Sequence, residues 1–160
     1  MKMERKYSLL VLVCSLVIVY GAGFLGSLVT IGEVNGAWYT SVKPSITPPS
    51  WIFPWVWNFL FFLIALCLWR SWMRATEREK QHVAFWYGIN LVLNVAWSFL
   101  YFRHHAPAAA FIDLILLWVS IIGMMVVSYR IRPKYVWFLV PYLAWVSFAG
   151  ILNYLSVAFL

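Results

Sequence analysis

Five long apolar runs, separated by short polar or proline-rich joints, dominate this chain of 160 residues. The runs cover approximately residues 8–31, 52–73, 82–102, 107–129 and 133–159. A helix needs about 20 apolar residues to cross the hydrocarbon core of a membrane, and each run reaches that length. The pattern therefore predicts an all-α integral membrane protein, a bundle of five transmembrane helices that forms one membrane domain over residues 1–160.

The composition agrees with this class of protein. Hydrophobic residues make up 64% of the chain and charged residues 11%, and the mean hydropathy is +0.83. Such values lie outside the range of soluble domains. The net charge of +7 does not indicate nucleic-acid binding, because the basic residues flank the apolar runs, where they act as orientation signals. The first run is too long for the apolar core of a signal peptide, so we expect a retained span.

The basic residues are distributed unequally between the two sides of the predicted bundle. Of the twelve lysines and arginines, only Lys43 and Arg103 fall in joints on the side opposite the N-terminus. Positive residues are enriched on the cytoplasmic side of a membrane. We therefore expect a cytoplasmic N-terminus, with the joint at residues 32–51 and the C-terminus outside, and a bacterial inner membrane as the location.

The joint at residues 32–51 is followed by an unusually constrained start of the second run. Residues 38–57 read WYTSVKPSITPPSWIFPWVW and hold four of the seven prolines and four of the eleven tryptophans. Proline fixes its own φ and restricts the residue before it, so the segment should keep one shape. Two interpretations are open: a lid that grips a flat apolar ligand, or an aromatic belt at the membrane interface.

Three predicted helices carry amides and aromatic rings at helical spacing. The faces consist of Asn90, Asn94, Trp97 and Tyr101 on span three; of Trp51, Trp55, Asn58 and Phe62 on span two; and of Tyr142, Trp145, Ala149 and Ser156 on span five, with Asn153 beside them. Each face alone is typical of hydrogen bonding between helices. The three together favour a lined cavity.

Asp113 is the only acidic residue within a predicted span. An ionisable side chain inside a membrane is either functional or paired, and Arg103 is a candidate partner. A mechanism with two carboxylates has no second acid nearby. The three histidines lie at span ends, so the sequence does not favour a buried haem with an axial histidine, and no metal site is predicted.

Several segments of the chain resemble one known family. They are WYTSVKP and TPPSWIFPWVW within residues 38–57, LNVAWSFLYF at residues 93–102 and LVPYLAWVSFAGILNY at residues 139–154. They are similar to motifs of the tryptophan-rich sensory protein / translocator protein family, also called the peripheral-type benzodiazepine receptor family. The resemblance covers residues 38–154 and fits all five spans.

The resemblance implies a five-helix bundle, commonly a homodimer, with a ligand pocket beneath the first loop. The implied ligand is protoporphyrin IX or haem, with no tightly bound cofactor. The pocket residues that it implies are Trp38, Tyr39, Pro49, Trp51, Trp57, Asn94, Trp97, Trp118, Tyr142, Trp145, Ala149 and Leu152. Some bacterial members are reported to degrade protoporphyrin under light; in that case Trp57 and Trp145 would be the catalytic residues.

Three alternative functions follow. The first is a tetrapyrrole-binding translocator or sensor, the second is a light-dependent protoporphyrin-degrading enzyme, and the third is a regulatory protein that binds sterols or drug-like ligands. Sterol binding departs from the family pattern, because the basic residue expected after Tyr154 is absent. Asp113 also departs from it, since the family often has glutamate at this place.

Overall fold

Helices make up nearly all of the structure, a computed structural model that describes residues 2–158, with side chains from Glu4 onward. The α-helices are α1 (Lys2–Thr30), α2 (Ala37–Val42), α3 (Ile52–Arg74), α4 (Glu77–Ser98), α5 (Pro107–Ile131) and α6 (Val140–Val157). A π-helical turn (Phe99–Arg103) extends α4, and a 3₁₀ segment (Pro133–Phe138) precedes α6. No strand occurs within residues 2–158. The predicted end of the last span, residue 159, lies outside the described residues, as do residues 1 and 160.

Five helices in residues 2–158 are long and apolar enough to cross a membrane, which confirms the predicted fold class. The closely packed pairs are α1–α3, α1–α4, α4–α5 and α5–α6. The order around the bundle is therefore α3, α1, α4, α5, α6. Because successive long helices alternate in direction, the basic joints meet at one end of the bundle and the proline-rich joint lies at the other.

The start of α4 shows how charged residues of a predicted linker become helical. α4 begins at Glu77 rather than at residue 82. Thr76 and Glu79 form a capping box, in which the Thr76 N–H donates to the Glu79 carboxylate at 2.8 Å and the Glu79 N–H donates to Thr76 Oγ1 at 3.4 Å. These bonds satisfy two N–H groups that a helix start would otherwise leave free.

The predicted fifth span is divided into two parts. The 3₁₀ segment runs from Pro133 to Phe138, and α6 begins at Val140 with Pro141 in its first turn. Proline has no N–H and its ring collides with the carbonyl four residues earlier, so one straight α-helix through Pro141 is strongly disfavoured. The first turn is the one helical position that proline tolerates, which explains why α6 starts here.

Two glycines allow helices to approach closely where they cross. A Cβ at Gly23 of α1 would collide with the Phe61 ring of α3, and a Cβ at Gly123 of α5 would collide with the Trp86 ring of α4. Small residues allow such approach in membrane bundles, where dispersion contacts drive helix association. Gly23 therefore allows the first span to pack closely on α3 within the chain.

The inner face of α3 differs from the prediction. Trp55 and Phe62 are 74% and 45% exposed, and the exposed Asn58 donates from its own amide to the Pro54 carbonyl at 2.9 Å. This face points outward and lines no interior surface, so the prediction of a lining face with these residues is wrong. Because α3 is apolar on all sides, spacing alone does not select the buried side. Trp57 lies on the inner side and packs against the core.

Candidate functional site

An aromatic seam, made of Phe53, Trp57, Tyr142 and Trp145, joins α3 to α6. The rings of Phe53 and Trp145 meet edge to face with centroids 5.6 Å apart, and those of Trp57 and Tyr142 do so at 6.2 Å. Phe61 continues the row along α3, 5.3 Å from Trp57. α3 and α6 are not among the closely packed helix pairs, so aromatic side chains bridge the two helices here. Such pairs contribute about 0.5–1.5 kcal/mol each beyond their burial.

Behind the aromatic seam lies a polar cluster, made of Asn90, Asn94, Ser120 and Tyr142. The Tyr142 hydroxyl donates to Asn90 Oδ1 and accepts from Asn94 Nδ2, both at 3.2 Å. The Asn90 amide donates to Ser120 Oγ at 2.8 Å. Asn90 and Tyr142 are fully buried. Because unsatisfied polar groups are costly inside a membrane, these bonds hold α4, α5 and α6 in one arrangement.

Two further sets of hydrogen bonds join α4 and its π-helical turn to α6 nearer the proline-rich joint. Trp97 Nε1 donates to Asn153 Oδ1 at 3.0 Å, and Asn153 Nδ2 donates to the Pro107 carbonyl at 2.8 Å. The hydroxyls of Tyr101 and Ser156 share a hydrogen bond at 2.7 Å. The whole polar face predicted on span three thus bonds to neighbouring helices.

The helix α2 packs on the π-helical turn and covers this end of the bundle. Trp38 meets Tyr101 with ring centroids 5.5 Å apart, and Tyr39 meets Phe102 at 5.5 Å. Tyr101 and Phe102, neighbours in sequence, are only 4% and 6% exposed, which the irregular i→i+5 bonding of a π-turn permits. Burial raises the pKa of Tyr39 to about 12, with the nearby Tyr101 phenol adding to the shift, so Tyr39 is neutral at physiological pH.

His105 links α2 to the end of the π-helical turn. Its ring stacks on Trp38 with centroids 4.2 Å apart, and its Nε2 lies 3.4 Å from Glu33 Oε2. His105 has a φ of 50°, in the left-handed region that residues with a side chain rarely adopt. The sequence places this histidine at a span end but carries no signal for its contact with the joint.

Three of the predicted pocket residues lie apart from the others. Trp51 is 66% exposed at the start of α3, and Pro49 is exposed just before it. Trp118 is 39% exposed on α5 and donates from Nε1 to Ser147 Oγ at 2.9 Å. It borders an apolar surface groove of about 450 Å³ between α5 and α6. The other predicted residues border the interior: Trp38, Tyr39, Trp57, Asn94, Trp97, Tyr142, Trp145, Ala149 and Leu152.

Phe53, Phe61 and Ser120 belong to this region and were not among the predicted ligand-binding residues. The two phenylalanines flank Trp57 at four-residue spacing, which places all three on one helix face. This spacing identifies them only once it is known that Trp57 faces inward. Ser120 carries no such signal, because a serine in an apolar helix readily bonds its own backbone. Its hydroxyl does so here with the Leu117 carbonyl, at 2.6 Å.

Asp113 is buried on α5 without the partner expected from the sequence. Arg103 is exposed, and the ion pairs between described residues are Lys80–Glu77 and His105–Glu33. The predicted pairing of Asp113 with Arg103 is therefore not formed.

Comparison with known proteins shows that the chain is similar to one protein family. A model of the TspO/MBR family matches residues 14–158. Tryptophan-rich protein TspO of Chlorobaculum tepidum is 37% identical, over 82% of this chain and 84% of the relative. The protein of the same name from Archaeoglobus fulgidus is 36% identical over 92% and 95%, and the Translocator protein of Homo sapiens is 32% identical over 82% and 79%.

Proposed function

Because the chain belongs to the TspO/MBR family of membrane proteins, we propose that this translocator or sensor protein binds a tetrapyrrole, protoporphyrin IX or haem. The aromatic seam is the observation that carries the proposal. Its rings offer indole, phenyl and phenol faces on which a flat macrocycle can stack. Few polar groups interrupt this surface, which suits an apolar ring system that enters from the membrane.

The seam between α3 and α6 is closed only by contacts between aromatic rings, which supports entry of a ligand between these two helices. Parting Phe53 from Trp145, and Trp57 from Tyr142, breaks ring contacts but no backbone hydrogen bond. A macrocycle placed between the rings replaces edge-to-face contacts by stacked ones, so most of the lost interaction is regained. The polar cluster lies behind the seam and keeps its hydrogen bonds during this step.

Two basic residues at the proline-rich end are candidates to meet the propionate groups of the ligand. Lys43 is exposed, with Nζ 5.9 Å from the centre of the Tyr39 ring, and Arg103 is exposed at the end of the π-helical turn. Charge-assisted hydrogen bonds to carboxylates are stronger than neutral ones. The macrocycle would then lie in the seam with its propionates toward Lys43 or Arg103.

Titration of protoporphyrin IX, haem and a sterol into the protein in nanodiscs tests the proposal, with binding followed by tryptophan fluorescence and porphyrin absorbance. We expect saturable binding of the porphyrin. Trp145→Phe should weaken it by a factor of about 2–10, because one large ring contact of about 0.5–1.5 kcal/mol is reduced. Trp137→Phe is the matched control, since Trp137 is 74% exposed on the 3₁₀ segment. Equal affinity in all three proteins removes the seam from the site, and tight binding of the sterol alone favours the regulatory function.

A second candidate function, degradation of protoporphyrin under light, is supported by the position of Trp57 and Trp145 in the same seam. An indole in contact with the excited macrocycle is placed to donate an electron to it. Irradiated samples should then lose the Soret band and gain a product band, while dark samples do not. The double variant Trp57→Phe/Trp145→Phe should lose the Soret band more slowly under light than the wild type. If both proteins lose it equally under light, the reaction belongs to free porphyrin and not to the two tryptophans.

For the orientation, we propose a cytoplasmic N-terminus and an external C-terminus in a bacterial inner membrane. The basic joints lie at the end of the bundle where α1 starts, whereas Lys43 and Arg103 lie at the other end. A C-terminal reporter that is active only in the cytoplasm should therefore stay silent, and the same reporter at the N-terminus should be active. The opposite pair of signals would reverse the orientation without changing the helix count.

A further inference from the structure

Asp113 of α5 is a buried acidic side chain that makes no hydrogen bond or ion pair with the other described residues. The residue is 7% exposed, and its Oδ2 atom is buried without a hydrogen-bond partner. The chain contains five acidic residues, and Asp113 is the only one of them among the buried residues of the described part of the chain. Buried polar groups almost always have partners, so this exception calls for an explanation.

The polar groups that precede and follow Asp113 along α5 are already engaged. About two turns further on, Ser120 bonds Asn90 at 2.8 Å, and six residues earlier the Pro107 carbonyl accepts from Asn153 at 2.8 Å. Tyr142, which lies close enough to interact electrostatically with Asp113, donates its hydroxyl proton to Asn90. The hydrogen that this hydroxyl could offer to the carboxylate is therefore used elsewhere.

No neighbouring element supplies a positive charge to Asp113. Besides Asp113, five titratable side chains are buried between residues 4 and 158. They are Tyr142 on α6, Tyr101 on the π-helical turn, Tyr87 on α4, Tyr135 on the 3₁₀ segment and Cys67 on α3. These are phenols and a thiol, which carry no positive charge in either protonation state. Arg103, His104 and His105 are exposed, and no lysine, arginine or histidine is buried between residues 4 and 158.

We propose that Asp113 is a proton-binding site inside the membrane, occupied at neutral pH so that the side chain is a neutral carboxylic acid. Among residues 4–158, an ionised carboxylate here would have neither a counter-charge nor a hydrogen-bond donor to its buried Oδ2 atom, and each lack is costly in a low-dielectric interior. Binding a proton removes the charge and makes one oxygen a donor. The ligand of this site is the proton itself, and the inference does not depend on tetrapyrrole binding.

Infrared spectroscopy of the full-length protein in lipid bilayers tests this inference, because a protonated carboxyl group has its own C=O stretching band. At neutral pH the wild type should show this band, shifted to lower frequency in D₂O, and raising the pH should remove it. Asp113→Asn should lack the band at every pH. Asp113→Glu should keep it at a changed frequency. Glu33→Gln is the matched control and should leave the band unchanged, since Glu33 is a partly exposed residue outside the spans.

Two results would overturn the inference. One is a wild type that is helical by circular dichroism but shows no carboxylic acid band at neutral pH, since Asp113 is then ionised. The other is a band that persists in Asp113→Asn, because the proton then belongs to another carboxyl group. If Asp113→Asn does not fold, the C=O band is assigned by comparing its frequency in the wild type and in Asp113→Glu. A shifted frequency supports the inference, and an unchanged frequency overturns it. Protoporphyrin is absent from all samples, so failure of the proposed function does not affect the outcome.

Discussion

Two regions close the interior of the bundle by different interactions. The first is the contact of α4 with α5 and α6, and the second is the aromatic seam between α3 and α6. On the first side, Asn90, Ser120 and Tyr142 bond one another, and Gly123 brings α5 close to α4. On the second side, ring edges meet at centroid distances of 5.6 and 6.2 Å without close helix packing. One side is held by directional bonds and the other by exchangeable apolar contacts.

Under the proposed function, this difference separates the interactions that stabilise the bundle from those that bind the ligand. A hydrogen bond broken inside a membrane leaves groups that no water can satisfy, so the polar cluster resists opening. Aromatic contacts, by contrast, can be exchanged for contacts with an aromatic ligand at little net cost. We therefore expect substitutions on the first side to lower stability with little effect on affinity, and substitutions in the seam to do the reverse.

The largest effect is expected at the crossing of α4 and α5. In Gly123→Val the new side chain collides with the Trp86 ring, and such overpacking costs about 1–3 kcal/mol. Thermal unfolding in detergent, followed by circular dichroism, should show a clear loss of stability. Gly88→Val is the matched control, because no atom lies within 4 Å of a Cβ at Gly88. Equal unfolding temperatures for the two variants would mean that the helices adjust freely at this crossing.

Two single substitutions, at Tyr142 and at Trp57, test the two sides separately, because the two rings touch but only Tyr142 belongs to the polar cluster. Tyr142→Phe removes a hydroxyl that makes two hydrogen bonds, each worth about 0.6 kcal/mol in membrane proteins, so about 1 kcal/mol of stability should be lost. Its ring stays in the seam, so porphyrin affinity should change little. Trp57→Phe should instead lower affinity several-fold with a smaller loss of stability. If both variants change both quantities in proportion, the two sides are not separable.

A separate effect, on ligand dissociation alone, is expected in the proline-rich joint, which acts as a lid if it orders over the ligand. Pro48→Ala/Pro49→Ala lets the free joint sample more conformations, at about 0.4–1 kcal/mol for each proline. Porphyrin dissociation, measured by stopped-flow fluorescence, should become several-fold faster. Ser45→Ala/Ser50→Ala is the matched control, since both serines are exposed in the same joint. An unchanged off-rate, with an intact bundle by circular dichroism, would assign the joint a connecting role alone.

The amino-acid sequence alone predicts the number of spanning helices, their approximate ends and the family. Runs of about 20 apolar residues have one stable form in a membrane, a helix whose backbone groups bond within the run. Local chemistry determined further details: Pro107 and Pro141 stand in the first turns of α5 and α6, the helical position that suits proline best. Each of these features depends on the covalent chain and on the membrane as solvent. None of them depends on which helices pack against one another.

Only the packed bundle shows which helix faces point inward. A helix in a membrane has apolar residues on both its lipid and its inner side, so the pattern did not show that Trp57 faces inward while Trp51 and Trp55 face outward. The stacking of His105 on Trp38 joins residues far apart in sequence, and no local rule connects them. That Asp113 has no partner among the described residues likewise depends on which donors of α4 and α6 are already used, and only the packed bundle determines that.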